Sequence, residues 1–185
     1  MSKVFRYGGV VASVILIAIG LASVYMGVDG RNTVRNDLAR EQIVGTPDST
    51  IPGQKVDSGS EAKAFAAVMR KHTLEATGGQ TYAEMDRFLD ANGKPTSDEA
   101  AAAKDAKTGQ PVENAARNIW ISSTAFQTAL NTAYFAESVA TFVLVVGIAL
   151  LLVGIGLLVL TVGLLDRRQP RTAAERGGRA VPIAG

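Results

Sequence analysis

Residues 138–165 read SVATFVLVVGIALLLVGIGLLVLTVGLL, and this stretch decides the fold. It runs for 28 residues without a charge and stops at Asp166, Arg167 and Arg168. A helix rises about 1.5 Å per residue, so roughly 20 apolar residues cross the hydrocarbon core of a bilayer. The stretch therefore predicts a membrane-spanning helix with a few residues to spare, a surplus that tilting absorbs. A second run, GGVVASVILIAIGLASVYMGV at 8–28, has 21 residues and again no charge. Lys3 and Arg6 precede it, as they would precede a signal peptide. The run is long for a signal-peptide core and no A-x-A-like cleavage site follows, so the expectation is an uncleaved signal anchor. Tyr25, Tyr134 and Phe135 fall near the ends of the two runs, at the level of the lipid headgroups.

The flanks orient the pair. The two short tails hold seven basic and two acidic residues, whereas 29–137 holds twelve basic and fifteen acidic ones. Positive flanks stay on the cytoplasmic side, so both termini are expected there and the central region outside. The predicted organisation is a cytoplasmic tail at 1–7, a span at 8–28, an extracytoplasmic helical domain at 29–137, a span at 138–165 and a disordered basic tail at 166–185. The expected class is an all-α membrane protein, with two antiparallel transmembrane helices extended into a small helical extracytoplasmic domain. The localisation that follows is the cytoplasmic membrane.

Between the spans, residues 29–44 mix charges of both signs with Val34, Leu38 and Ile43, and read as a continuation of the first helix into water. GTPDSTIPGQKVDSGS at 45–60 is a loop by its Gly, Pro, Asp and Ser content. Ser58 or Ser60 caps the next helix, whose Phe65, Val68, Met69 and Leu74 recur at helical spacing. Gly78 and Gly79 end it. Thr81 and Glu84 match a capping box and predict a helix from Tyr82 to about Ala91, stopped by NGKP. Thr96 and Glu99 repeat the pattern before a second, alanine-rich helix. From Val112 onward one heptad line reads Val112, Ile119, Phe126, Ala133, Ala140, Gly147 and Gly154. A second reads Ala115, Ser122, Ala129, Ala136, Val143, Leu150 and Leu157. This predicts one uninterrupted helix from about Val112 to Leu165 with a continuous packing seam.

Small residues let membrane helices approach closely. Antiparallel spans counted from their outer ends put Gly27 level with Ala140, Gly20 with Gly147, Ser13 with Gly154 and Val34 with Ala133. The expected helix-packing seam is therefore Gly20, Gly27, Ala140, Gly147 and Gly154, within one chain or against a second copy.

The chemistry is sparse. The chain has no cysteine and one histidine, His72. That rules out disulfides and zinc–thiolate sites, and leaves too few ligands for the two-histidine, one-carboxylate iron site. There is no G-x-S-x-G elbow and no phosphate-binding loop. The net charge of +2 gives no argument for nucleic acid. Neither catalytic residues nor a cofactor are predicted, and the partners expected are the bilayer and a membrane or envelope protein or a second copy. RKHTLEATGGQTYAEM at 70–85 is the densest polar stretch. Its His72, Glu75, Tyr82 and Glu84 are the candidate recognition surface.

The segments RNDLAREQI, TPDSTIPG and HTLEATGGQTYAEM, set between a signal anchor and a glycine-rich span, resemble a family of uncharacterised two-span actinobacterial membrane proteins. The resemblance covers most of the chain and implies the same two-span membrane architecture. Members are often labelled as subunits of aromatic ring-opening dioxygenases, which implies the alternative of a membrane-bound oxidoreductase subunit. The residues themselves supply no iron site for that chemistry.

Overall fold

The computed structural model describes residues 3–166 of the chain. The basic C-terminal tail expected at 166–185 lies outside the described residues, apart from Asp166. Three helices dominate: α1, Lys3–Arg40; α2, Gly59–Ala76; and α3, Ala115–Asp166. A two-stranded antiparallel hairpin, β1 (Phe88–Leu89) and β2 (Pro95–Thr96), lies between α2 and α3. Both long helices are unbroken, and α3 passes through Glu137 without interruption. The described residues form two compact units.

The first unit pairs α1 up to Tyr25 with α3 from Leu144. Both helices are long and apolar enough to cross a membrane, and only 11% of the most apolar window of each is buried. The core helix of a soluble protein would be mostly buried. Here Val11, Ile15 and Ile19 of α1 and Ile148, Leu152 and Val159 of α3 face outward. What the two helices bury is small: Ser13, Gly20, Gly147 and Gly154. A Cβ placed on Gly20 would come within 2.9 Å of the Gly147 carbonyl oxygen, and one on Gly147 within 2.8 Å of the Val24 amide nitrogen. Only glycine permits that approach.

The second unit is Met26–Val143. Its core is Leu38 from α1, Val56 from the following loop, Ala62, Phe65, Ala66 and Val68 from α2, and Leu130 from α3. Val34, Ile43, Ile51, Met69 and Ala133 pack around it. The loop after α1 folds back on itself. Gly45 donates to the Gln54 carbonyl at 2.8 Å, Gly53 donates to Gly45 at 2.9 Å, and Val44 bridges Lys55. A Cβ on Gly45 would lie 1.9 Å from the Ile51 carbonyl oxygen, so the fold-back needs glycine there.

Ser58 is the N-cap of α2, and Glu61 accepts the Ser58 and Asp57 amides at 3.0 Å each. At the far end Gly78 and Gly79 take positive φ, and Gly79 donates to the Leu74 carbonyl at 2.7 Å. Both helix signals act where the sequence places them.

Two predicted helices do not form. Residues 82–91 make a single turn and then enter β1, and 96–107 carry turns and isolated bridges. Glu84 does reach the Thr81 amide, at 2.7 Å, but the turn stops there. Tyr82, Met85 and Leu89 do keep helical spacing, but Leu89 donates to the Val112 carbonyl and accepts the Ala103 amide, and that pairing holds the chain extended. Asp90 accepts the amides of Asn92 and Lys94, and Gly93 has φ 75°, which closes a hairpin. The alanine-rich segment has no apolar face, and a helix that short is marginal alone. Backbone pairing of Ala103 with Leu89 and Val112 takes its place. The region between the two apolar runs is therefore helical only in part.

The heptad seam also turns over along α3. Beyond residue 143 it faces α1 as expected, through Gly147 and Gly154, but in the second unit Ile119, Ser122, Phe126 and Ala129 are exposed. Trp120, Leu130 and Glu137 are buried instead. The reason is α2, which lies against that adjoining stripe of α3.

Candidate functional site

Three polar clusters stand out, all within Met26–Val143. The first is built on Glu137, 8% exposed overall. Its carboxylate accepts the Arg35 guanidinium at 2.8 Å and the Gly59 amide at 2.5 Å, with Arg31 3.6 Å away. Arg31 and Arg35 share a face of α1, and Gly59 is the first residue of α2. One side chain of α3 thus holds both other helices. Burial is the largest influence on the Glu137 carboxyl and works against ionisation. The Gly59 amide and the two arginines outweigh it, and the group is held below its ordinary value. Arg35 is correspondingly raised by the hydrogen bond to, and the charge of, Glu137.

A second cluster centres on Asp48, in the loop after α1. Its carboxylate takes Lys71 Nζ and His72 Nε2, both at 2.9 Å, and Thr46 Oγ1 at 2.8 Å. The Lys71 hydrogen bond, then those of His72 and Thr46, push Asp48 well below the usual carboxylate range. The hydrogen bond to Asp48 raises Lys71 in turn. The cluster ties the loop to α2 at the surface.

A third feature is a polar cleft of about 340 Å³ where the 86–114 segment meets the start of α3. Tyr82, Arg87, Phe88, Glu113, Arg117 and Asn118 line it. The Arg117 guanidinium stacks 3.9 Å from the Tyr82 ring centre, and Nη1 donates to the Met85 carbonyl at 2.8 Å. Arg87 lies 5.3 Å from the centre of Phe88. Asn114 closes the rear wall. Its side chain donates to the Asp86 carbonyl and accepts the Ala116 amide.

The predicted recognition residues do not converge. His72 pairs with Asp48, and Glu75 stands 3.9 Å from Lys71. Tyr82 lines the cleft, whereas Glu84 accepts the Thr81 amide and hydroxyl, in that order the causes of its lowered pKa. Of the seam residues, Gly20 and Gly147 face each other. A Cβ on Gly154 would meet Ile17 and Leu16 first, and one on Gly30 would meet Ala140, while Gly27 is itself buried. Ser13 turns its hydroxyl inward to the Gly9 carbonyl at 2.8 Å.

Sequence reasoning missed Asp48, Arg87, Arg117 and Glu137. Glu137 carried one signal: it is the last charge before an uncharged run, at a helical position where a charge needs partners. The others depend on chain reversals that no periodicity announces. Among the described residues no group of three or more His, Asp or Glu side chains is placed to hold a metal ion. Comparison with protein families, with curated proteins and with solved structures gives no match to this chain.

Proposed function

We propose that this chain is a non-enzymatic integral membrane protein that displays a folded module outside the cytoplasmic membrane. In this reading α1 and α3 cross the bilayer as an antiparallel pair, and both termini are cytoplasmic. Residues 29–137 meet a partner, the envelope or another copy. The observation that carries it is the pair of helices with uncharged runs whose apolar side chains face outward, which water would not tolerate and lipid would. The charge asymmetry of the flanks supports the orientation. The lone histidine spends its Nε2 on an ion-pair cluster, which supports a structural use for it.

Single cysteines test the topology cleanly, because the chain has none of its own. A membrane-impermeant maleimide applied to intact cells is expected to label Lys104→Cys, and to label Ser2→Cys only after permeabilisation. Labelling of Ser2→Cys alone in intact cells would reverse the orientation. A soluble, fully labelled protein would remove the membrane reading altogether.

A further inference from the structure

We propose that the cleft lined by Arg87 and Arg117 binds a small monoanionic carboxylate with an apolar body. The inference rests on the reading that Met26–Val143 is the working part of the chain, but its test needs no particular topology. Both guanidiniums are set against aromatic rings, at 3.9 Å for Arg117 on Tyr82 and 5.3 Å for Arg87 on Phe88. A ring face restrains a guanidinium without occupying its N–H groups, which remain for a planar, two-oxygen acceptor. Among the described residues neither arginine has a carboxylate within ion-pair distance, although ion pairs tie down Arg31, Arg35, Arg40 and Lys71 elsewhere in the same unit. Arg117 has committed one nitrogen to the Met85 carbonyl, which anchors it without using its remaining donors.

The cleft chooses its ligand by charge and size. Glu113 also lines it, so two positive side chains and one negative one leave a surplus of one, which matches a monoanion better than a dianion. At about 340 Å³ it lies at the small end of ligand pockets. Ile121 and the ring edges of Tyr82 and Phe88 supply a smaller apolar part of the lining, enough for a short aliphatic body, and Asn118 adds an amide. The first turn of α3 is not what attracts the anion: Asn114 already accepts the Ala116 amide there.

Calorimetry on the full-length protein in a non-ionic detergent tests this with three probes: N-acetylleucine, its uncharged amide, and inorganic phosphate. The expected result is saturable millimolar binding of N-acetylleucine, with neither of the others matching it. Arg117→Gln and Arg87→Gln are each expected to weaken it about tenfold, the loss of one charged hydrogen-bonding partner. Glu113→Gln is expected to tighten it. Arg117 also supports the Met85 segment, so Arg87→Gln, which removes no intramolecular hydrogen bond, is the deciding variant should Arg117→Gln fail to fold. Absent binding, equal binding of the amide or phosphate, or undiminished binding by Arg87→Gln would each overturn the proposal. The topology reading would survive any of those results, since maleimide labelling tests it separately.

Discussion

Glu137 is the residue on which the packing of the Met26–Val143 unit turns. Its carboxylate joins α3 to α1 through Arg35 and to α2 through the Gly59 amide. Removing one member of a buried pair leaves the other charge uncompensated, which costs about 3–5 kcal/mol when both are fully buried. Arg35 is about half exposed, so water takes up part of that loss. Glu137→Ala is expected to lower stability by about 2 kcal/mol, read by thermal unfolding in detergent. The same residue sets a pH dependence. Its folded pKa lies below the ordinary 4.5, so its contribution is complete above that value and is lost as pH falls through the lower, folded value. Glu137→Gln is expected to remove this acid-side loss and to flatten the stability profile there. An unchanged profile would mean that the carboxylate is not ionised in the folded protein.

At the scale of elements, the sequence was readable wherever a single helix face or a cap decided the outcome. The two long helices, the Ser58 start of α2 and its Gly78–Gly79 stop all follow from local chemistry. The segment 82–114 was not readable in that way. Its capping motifs at Thr81 and Thr96 are present, but each needs an amphipathic helix behind it, and the tertiary pairing of Leu89, Ala103 and Val112 wins instead. Thr81→Ala illustrates the change. The cap of a full helix is worth about 1 kcal/mol. Here Thr81 supports one turn and its hydroxyl donates to Glu84, so the loss should be only a few tenths of that. The loop after α1 behaves oppositely. Gly45→Ala would drive a methyl group into the Ile51 carbonyl, and a loss of at least 2 kcal/mol is expected by unfolding, in keeping with other strained backbone sites. Gly147→Ala and Gly156→Ala separate packing from helix propensity in α3. The first would meet backbone atoms of α1 at 2.8 and 3.0 Å, and overpacking of that kind costs about 1–3 kcal/mol. The second meets nothing within 4 Å and should be neutral or slightly stabilising. Equal effects at the two positions would show that the glycine seam plays no part in helix contact.

For the whole molecule, the question is whether α1 and α3 pair within one chain. The heptad spacing pointed to their faces, but not to the shift along α3 to the adjoining stripe, Trp120, Leu130 and Glu137, that α2 covers. That change depends on a third element, which the period of a single helix does not encode. It also leaves Ile119 outward, while Phe126 keeps an edge contact with Phe65. The cleft at Arg87 and Arg117 lay further from reach, because it is assembled by a hairpin that reads locally as helix. Intramolecular pairing has a direct test at Gly30 and Ala140, where a Cβ on the glycine would stand 3.3 Å from that of the alanine. That is close to the separation of about 3.8 Å found in disulfides, and the chain offers no competing thiol. Gly30→Cys and Ala140→Cys together, oxidised in native membranes, are predicted to give a monomeric species with an internal crosslink at every expression level. A crosslink found only between chains would contradict the account.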